Sequence, residues 1–143
     1  MTEKWKLVMD RGLIVGAIFI DFQIAFDTVS HEILSLKLKA VDICGPLHQW
    51  LMSYLLDRYQ YTEENNQRSM SLPIKFGVPQ GSLLGPRLYT IYTNDLPDQV
   101  EDGSIVMYAD DTTIYSIGQN VEQFILSLNG LMTQTSKWNS LKN

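Results

Sequence analysis

The chain has 143 residues, 45% of them hydrophobic, which is enough to bury a core and predicts one domain over 1–143. Its formal net charge is -5, from 11 Lys and Arg against 16 Asp and Glu, which speaks against a free-standing basic nucleic-acid module. The single cysteine, Cys44, excludes an internal disulfide and a cysteine-based zinc site, and points to a reducing intracellular compartment, nucleus or cytoplasm.

Residues 2–11 are predicted helical, with Trp5, Val8 and Met9 on one face and Gly12 as the stop. The apolar run Leu13–Ile20 is far shorter than the ~20 residues of a membrane span, so no membrane partner is expected. Lys4, Lys6 and Arg11 before it faintly mimic a secretory leader. Glu3 and Asp10 interrupt that basic stretch, however, and no small-residue cleavage site follows. Residues 13–21 instead read as a strand covered on both faces and ending in Asp21.

Ser30 is placed to N-cap a helix over 31–41 that turns Ile33, Leu34, Leu38 and Val41 inward. Pro46 suits the first turn of a second helix burying Leu47, Trp50, Leu51, Tyr54 and Leu55. Residues 58–62 and 69–76 read as strands around a polar turn, Glu63 to Asn66. After a loop dense in Gly and Pro, a helix is expected to about Leu96. Residues 104–109 and 112–117 read as a hairpin with Asp110 and Asp111 at its tip. A last helix over 120–138 presents Val121, Phe124, Ile125, Leu128, Leu131, Met132 and Trp138. Helices and strands mix without regular βαβ alternation. This predicts an α+β fold, a small antiparallel sheet with helices packed on one face.

Two features place acid where a fold does not require it. Asp21 closes an apolar strand, and Asp110 and Asp111 sit between two others. Were those strands neighbours, the carboxylates would converge at one sheet edge, where a divalent cation would offset their repulsion. Magnesium takes a few carboxylates and completes its shell with water and substrate phosphates. Two such ions ~3.5–4 Å apart hold both oxygens of a phosphoryl transfer. Read alone, an Asp pair at a hairpin tip is ordinary turn chemistry, and Asp21 could be a strand-ending cap.

The loop Gly77-Val-Pro-Gln-Gly-Ser-Leu-Leu-Gly-Pro86 would let a backbone approach a bulky partner at Gly81 and Gly85, with Gln80 and Ser82 offering neutral hydrogen bonds. Its plain alternative is a strand-to-helix connector with Ser82 as N-cap. It is not a phosphate-binding P-loop, because the Gly-Lys-Ser/Thr ending is missing. A calcium loop is disfavoured too, since no segment alternates acidic ligands and ends in Glu.

Three blocks in order carry a family pattern: Phe19-Ile-Asp-Phe-Gln-Ile-Ala-Phe-Asp-Thr-Val-Ser-His31, the glycine loop continuing through Leu88 to Pro97, and Tyr108-Ala-Asp-Asp-Thr112. They resemble motifs A, B and C of reverse transcriptases from non-LTR retrotransposons. Trp50 to Gln60 is similar to the family's segment between A and B, so the resemblance covers nearly the whole chain.

The resemblance implies a right-hand polymerase palm, an RNA-directed DNA polymerase (nucleotidyltransferase) adding deoxynucleotides to a primer 3′ end. Its partners would be an RNA template, a DNA primer and deoxynucleoside triphosphates. Asp21 and Asp110, with Asp111 beside them, would hold two Mg2+ ions, with Mn2+ as a possible substitute. Phe26, five residues past Asp21, would be the aromatic gate against a ribose 2′-OH; without the family it reads equally as a core Phe. Gln80 and Gly81 would contact the incoming nucleotide and the template. Asp27 and His31 match the outer pattern as structural support, although a lone His at a helix start is ordinarily a cap or surface residue.

Ile24 stands where the family has Lys, removing a basic contact. The family's fingers would largely precede this stretch, and its lysine-bearing motif D and thumb would follow it. This would explain the acidic balance, and the isolated stretch is expected not to copy a template measurably. The alternative is a non-catalytic remnant of a retrotransposon polymerase, acting at most as a binding or structural domain.

Overall fold

The computed structural model describes residues 2–22, 25–101 and 103–142. Two compact units form: Met1–Gln23 with Asn94–Asn143, and Ile24–Thr93.

The first unit opens with helix α1 (Thr2–Met9) and strand β1 (Ile14–Asp21), close to the predicted bounds. It continues with a 3-10 turn (Pro97–Gln99), strands β6 (Ser104–Tyr108) and β7 (Asp111–Gly118), and helix α5 (Val121–Ser140). The three strands make one antiparallel sheet in the order β1-β7-β6. Side chains alternate across a strand, so each rung fixes which face its residues share. Ile18 pairs with Ile114 and Gly16 with Ser116 on the face that meets α5, where the Ser116 and Ser127 hydroxyls bond at 2.6 Å. Ile114 and Leu131 are fully buried there. Asn120 caps α5 by accepting from the Gln123 N–H at 2.9 Å.

On the opposite face Tyr115 meets Trp5 of α1 edge-on, with centroids 5.4 Å apart. That cover does not reach the Asp21 end. Phe19 pairs with Thr113 and is 74% exposed, which corrects the expectation of a strand buried on both faces. β1 is an edge strand: Ile14 to Ile18 are all half-buried, and only Phe19 and Asp21 are exposed. On α5, Val121, Ile125 and Met132 lie outside the buried stripe, against expectation.

The second unit packs helix α2 (His31–Ala40) against α3 (Gly45–Leu55) and α4 (Gly85–Thr93). Ser30 caps α2 as predicted, accepting from the Ile33 N–H at 3.4 Å. Leu34, Leu38, Leu51 and Leu55 are buried. Val41, the residue after the end of α2, is exposed, as are Leu47 and Trp50 of α3, whose three turns present one apolar stripe inward and leave a second one outside, with Trp50 55% exposed.

A ribbon follows from β2 (Tyr59–Gln60), β3 (Glu63–Glu64), β4 (Gln67–Arg68) and β5 (Leu72–Pro73). β2 pairs with β5 and β3 with β4. Its turn narrows to Asn65 and Asn66, with φ of 50° and 62°, the double positive φ of a two-residue hairpin. Between its two ladders Tyr61 and Thr62 stand against Ser69, Met70 and Ser71, two residues against three, so the ribbon carries a bulge there.

Candidate active site

The carboxylates lie in the first unit. Asp21 ends β1 directly opposite Asp111, and Asp111 also pairs with Tyr108 on the other side. The β6–β7 turn therefore runs through Ala109 and Asp110, one residue earlier than the sequence suggested. Pairing to β1 holds β7 extended as far as Asp111, which leaves the small Ala109 to take the positive φ of 53°. A non-glycine residue in that region costs about 1–2 kcal/mol, borne by the surrounding ladder. Asp21 and Asp111 are exposed and Asp110 is half-buried. Among the described residues the side chains of these three aspartates have no hydrogen-bond or salt-bridge partner. Among the same residues, no group of three or more His, Cys, Asp or Glu side chains is gathered closely enough to hold a metal.

Behind Asp21, Phe22 leans on Trp138 with ring centroids 6.1 Å apart. The Trp138 indole donates to Asp95 Oδ1 at 2.9 Å, and Lys142 Nζ meets Asp95 Oδ2 at 3.0 Å. This support joins residues more than 100 positions apart, and no local pattern announces it.

In the second unit the glycine loop is tied to the segment that follows Asp21. Gly77 N–H donates to Val29 O and Val78 N–H to Phe26 O, both at 2.8 Å. Gly77 has φ +87°, and a Cβ there would stand 2.9 Å from Asp27 Cα, so only glycine fits. His31 is 4% exposed, not on the surface: its Nε2 donates to Gly77 O at 2.8 Å, while its Nδ1 is buried without a hydrogen-bond partner. Arg58 Nη2 donates to the same carbonyl at 2.9 Å while its Nε caps Leu55 O at 2.9 Å. No local sequence pattern marks Arg58 for this role.

Phe26 is half-buried with its ring tilted against Tyr89, 4.9 Å between centroids. Gln80 is exposed and donates to Asp27 Oδ2 at 3.1 Å. Gly81 adopts φ +72° with nothing near its missing Cβ. Ser82 donates to Pro79 O at 2.7 Å and accepts from Gly85 N–H at 2.9 Å, which ties the loop to the first residue of α4, although Ser82 stands three residues before that helix and not at its N-cap position. Ile24 lies outside the described residues. No helix among the described residues is long and apolar enough to cross a membrane.

The family model for reverse transcriptase (RNA-dependent DNA polymerase) matches residues 5–141. A probable RNA-directed DNA polymerase from transposon BS of Drosophila melanogaster is 34% identical over 96% of this chain and 16% of its own length. The RNA-directed DNA polymerase from mobile element jockey of the same species is 34% identical over 87% of this chain and 14% of its own length. A retrovirus-related Pol polyprotein from type-1 retrotransposable element R2 of Popillia japonica is 29% identical over 71% of this chain and 17% of its own length. The chain thus spans only a small part of each of these relatives.

Proposed function

The chain belongs to the reverse transcriptase (RNA-dependent DNA polymerase) family, and from that premise we propose that Asp21, Asp110 and Asp111 form the metal-binding centre of a polymerase palm. The observation that carries the reading is the rung between Asp21 and Asp111. It sets like charges opposite each other at an exposed sheet edge, with no protein cation to balance them among the described residues. Like charges directly opposite destabilise a sheet.

The three carboxylates are not gathered as one cluster, but the facing pair Asp21 and Asp111 suits Mg2+, which needs only one or two carboxylates when substrate phosphates complete its shell, and Mn2+ could substitute. When bound, such ions supply charge stabilisation at the attacking and leaving oxygens. The chain's own part is positional. β1 and β7 hold Asp21 and Asp111 on one face, and Ala109 presents Asp110 from the turn. In the second unit, Phe26 on Tyr89 would exclude a ribose 2′-OH, and Gln80 and Gly81 would meet the incoming nucleotide and template. The substrates would be deoxynucleoside triphosphates on an RNA template with a DNA primer. The lone exposed Cys44 suits a reducing compartment, nucleus or cytoplasm.

The acidic balance favours one competing reading, a non-catalytic remnant that binds nucleic acid poorly. Primer extension on an RNA template separates the two, using this chain and a longer polypeptide that carries it. In the longer polypeptide, Asp110→Asn is expected to lower synthesis by about a thousandfold or more, since metal assistance removes several kcal/mol of barrier. Near-normal extension by that variant would end the metal assignment.

A further inference from the structure

Near its start, β1 is clamped by α5: no Cβ fits between Gly16 and the Phe124 ring. Toward its end the two elements part. An open cavity of about 240 Å³ lies between Ile20 and Asp21 on one side and Met132, Ser136 and Asn139 of α5 on the other. Asp21 is thus the last rung of an edge strand, paired on one side only and opposite the like charge of Asp111. Each of these features favours fraying, and ladder ends open at little cost in free energy.

The next residue supplies the missing contact. Phe22 is half-buried with its ring against Trp138, which is 5% exposed. The indole is itself held in place. Its N–H donates to Asp95 Oδ1 at 2.9 Å. Lys142 Nζ sits 5.2 Å from the centroid of the same ring and donates to Asp95 Oδ2 at 3.0 Å. One carboxylate therefore satisfies a buried indole N–H and holds the cation that lies over the ring. Asp95 is half-buried beside the fully buried Leu96, so its own backbone is anchored in the core.

We propose that Asp95 is a positioning residue for the facing carboxylates: through Trp138 and Phe22 it keeps Asp21 closed on the rung opposite Asp111. Its effect on a bound cation rests on the metal-centre reading of that rung; its hold on the strand end does not.

The test uses the 15N-labelled whole chain and two measurements, amide hydrogen exchange in metal-free buffer and Mn2+ titration followed by paramagnetic broadening. Asp95→Leu removes the acceptor. Asp95→Asn removes the same charge yet keeps an oxygen for the indole. Trp138→Phe keeps a ring on Phe22 yet loses the N–H. In Asp95→Leu and Trp138→Phe, ladder amides among 19–21 and 111–113 are expected to exchange about threefold faster or more, as loss of one hydrogen bond at a ladder end requires, with those at 114–118 unchanged. Mn2+ binding at Asp21 and Asp111 is expected to weaken about twofold to threefold in the same two variants, because only the closed rung binds. Asp95→Asn is expected to match the parent in both measurements, which neither a general loss of stability nor the loss of a nearby charge would allow. Should Asp95→Leu not fold, Trp138→Phe against Asp95→Asn decides. The proposal is overturned by parent-like exchange at 19–21 in the variants that lose the indole bond, by unchanged Mn2+ affinity in them, or by an equal change in Asp95→Asn. Faster exchange in those variants with no broadening at Asp21 and Asp111 in the parent supports the anchor and sinks the metal-centre reading. Broadening there with parent-like exchange in the variants sinks the anchor alone.

Discussion

Asp21 and Asp111 are direct cross-strand partners on the last rung of the β1–β7 ladder. Opposed residues in an antiparallel pair have Cβ atoms about 4.5–5.5 Å apart, so the two carboxylates are held in each other's field. Pairing to Tyr108 on the other side of β7 also fixes the backbone at Asp111.

A stability difference follows. In metal-free buffer, Asp111→Asn removes one of two facing charges and is expected to raise stability by a few tenths of a kcal/mol. Added Mg2+ or Mn2+ is expected to raise the melting temperature of the parent chain more than that of the variant, because binding to the folded form alone stabilises it. Calorimetry with and without the cation checks both. An equal rise in parent and variant would show that the rung does not hold the ion.

The glycine loop gives a paired comparison. Gly77 and Gly81 both have positive φ, +87° and +72°, but a Cβ at Gly77 meets Asp27 backbone at 2.9 Å and one at Gly81 meets nothing. Gly81→Ala is therefore expected to cost about 1 kcal/mol of backbone strain. Gly77→Ala adds a clash with backbone that cannot yield, and is expected to cost about 3 kcal/mol or more. Urea unfolding at constant m-value measures both, and equal costs would show that the approach of Gly77 to Asp27 is not what selects glycine there.

Much of this was legible in the sequence, for physical reasons that differ by element. Ser30, Pro46 and the apolar run before Asp21 announce themselves because caps, φ-restricted residues and β-branched runs are local signals. The carboxylates were legible as acids out of place. The hairpin tip slipped by one residue because the strand that keeps Asp111 extended, β1, lies 90 residues away in sequence. The ribbon's two-residue strands are too short to show a period of two, so its bulge at Tyr61 had no signature. His31 read as a surface cap because the carbonyl its Nε2 meets belongs to Gly77, 46 residues on.

That carbonyl also predicts non-additivity. Gly77 O accepts from both His31 Nε2 and Arg58 Nη2. Removing one donor leaves the acceptor satisfied by the other, so His31→Phe and Arg58→Met are each expected to cost about 1–2 kcal/mol. Removing both strands a buried carbonyl, and the double variant is expected to exceed the sum by about 0.5 kcal/mol or more. A double-mutant cycle by chemical denaturation reads the coupling directly. Strict additivity would mean that the two donors act on Gly77 independently.

The last expectation concerns sugar choice, in a longer polypeptide with measurable synthesis. Phe26 is proposed to occupy the space that a ribose 2′-OH would need, and its ring does not stand alone: Tyr89, 3% exposed, lies against it at 4.9 Å. A gate discriminates only if it resists displacement, since a ring that could tilt away would admit the hydroxyl at little cost. Phe26→Ala is expected to empty the space and bring ribonucleotide and deoxynucleotide incorporation closer together. Tyr89→Leu retains the gate but removes its backing, so it should move the same ratio in the same direction by less. Exclusion of the hydroxyl would be steric rather than electrostatic, so the change should fall on ribonucleotide kcat/KM and leave deoxynucleotide incorporation nearly constant. Single-nucleotide incorporation kinetics with matched ribo- and deoxynucleoside triphosphates decide it. An unchanged ratio in Phe26→Ala would return Phe26 to a packing role, whereas a shift in that variant with none in Tyr89→Leu would leave the gate in place and discard its backing.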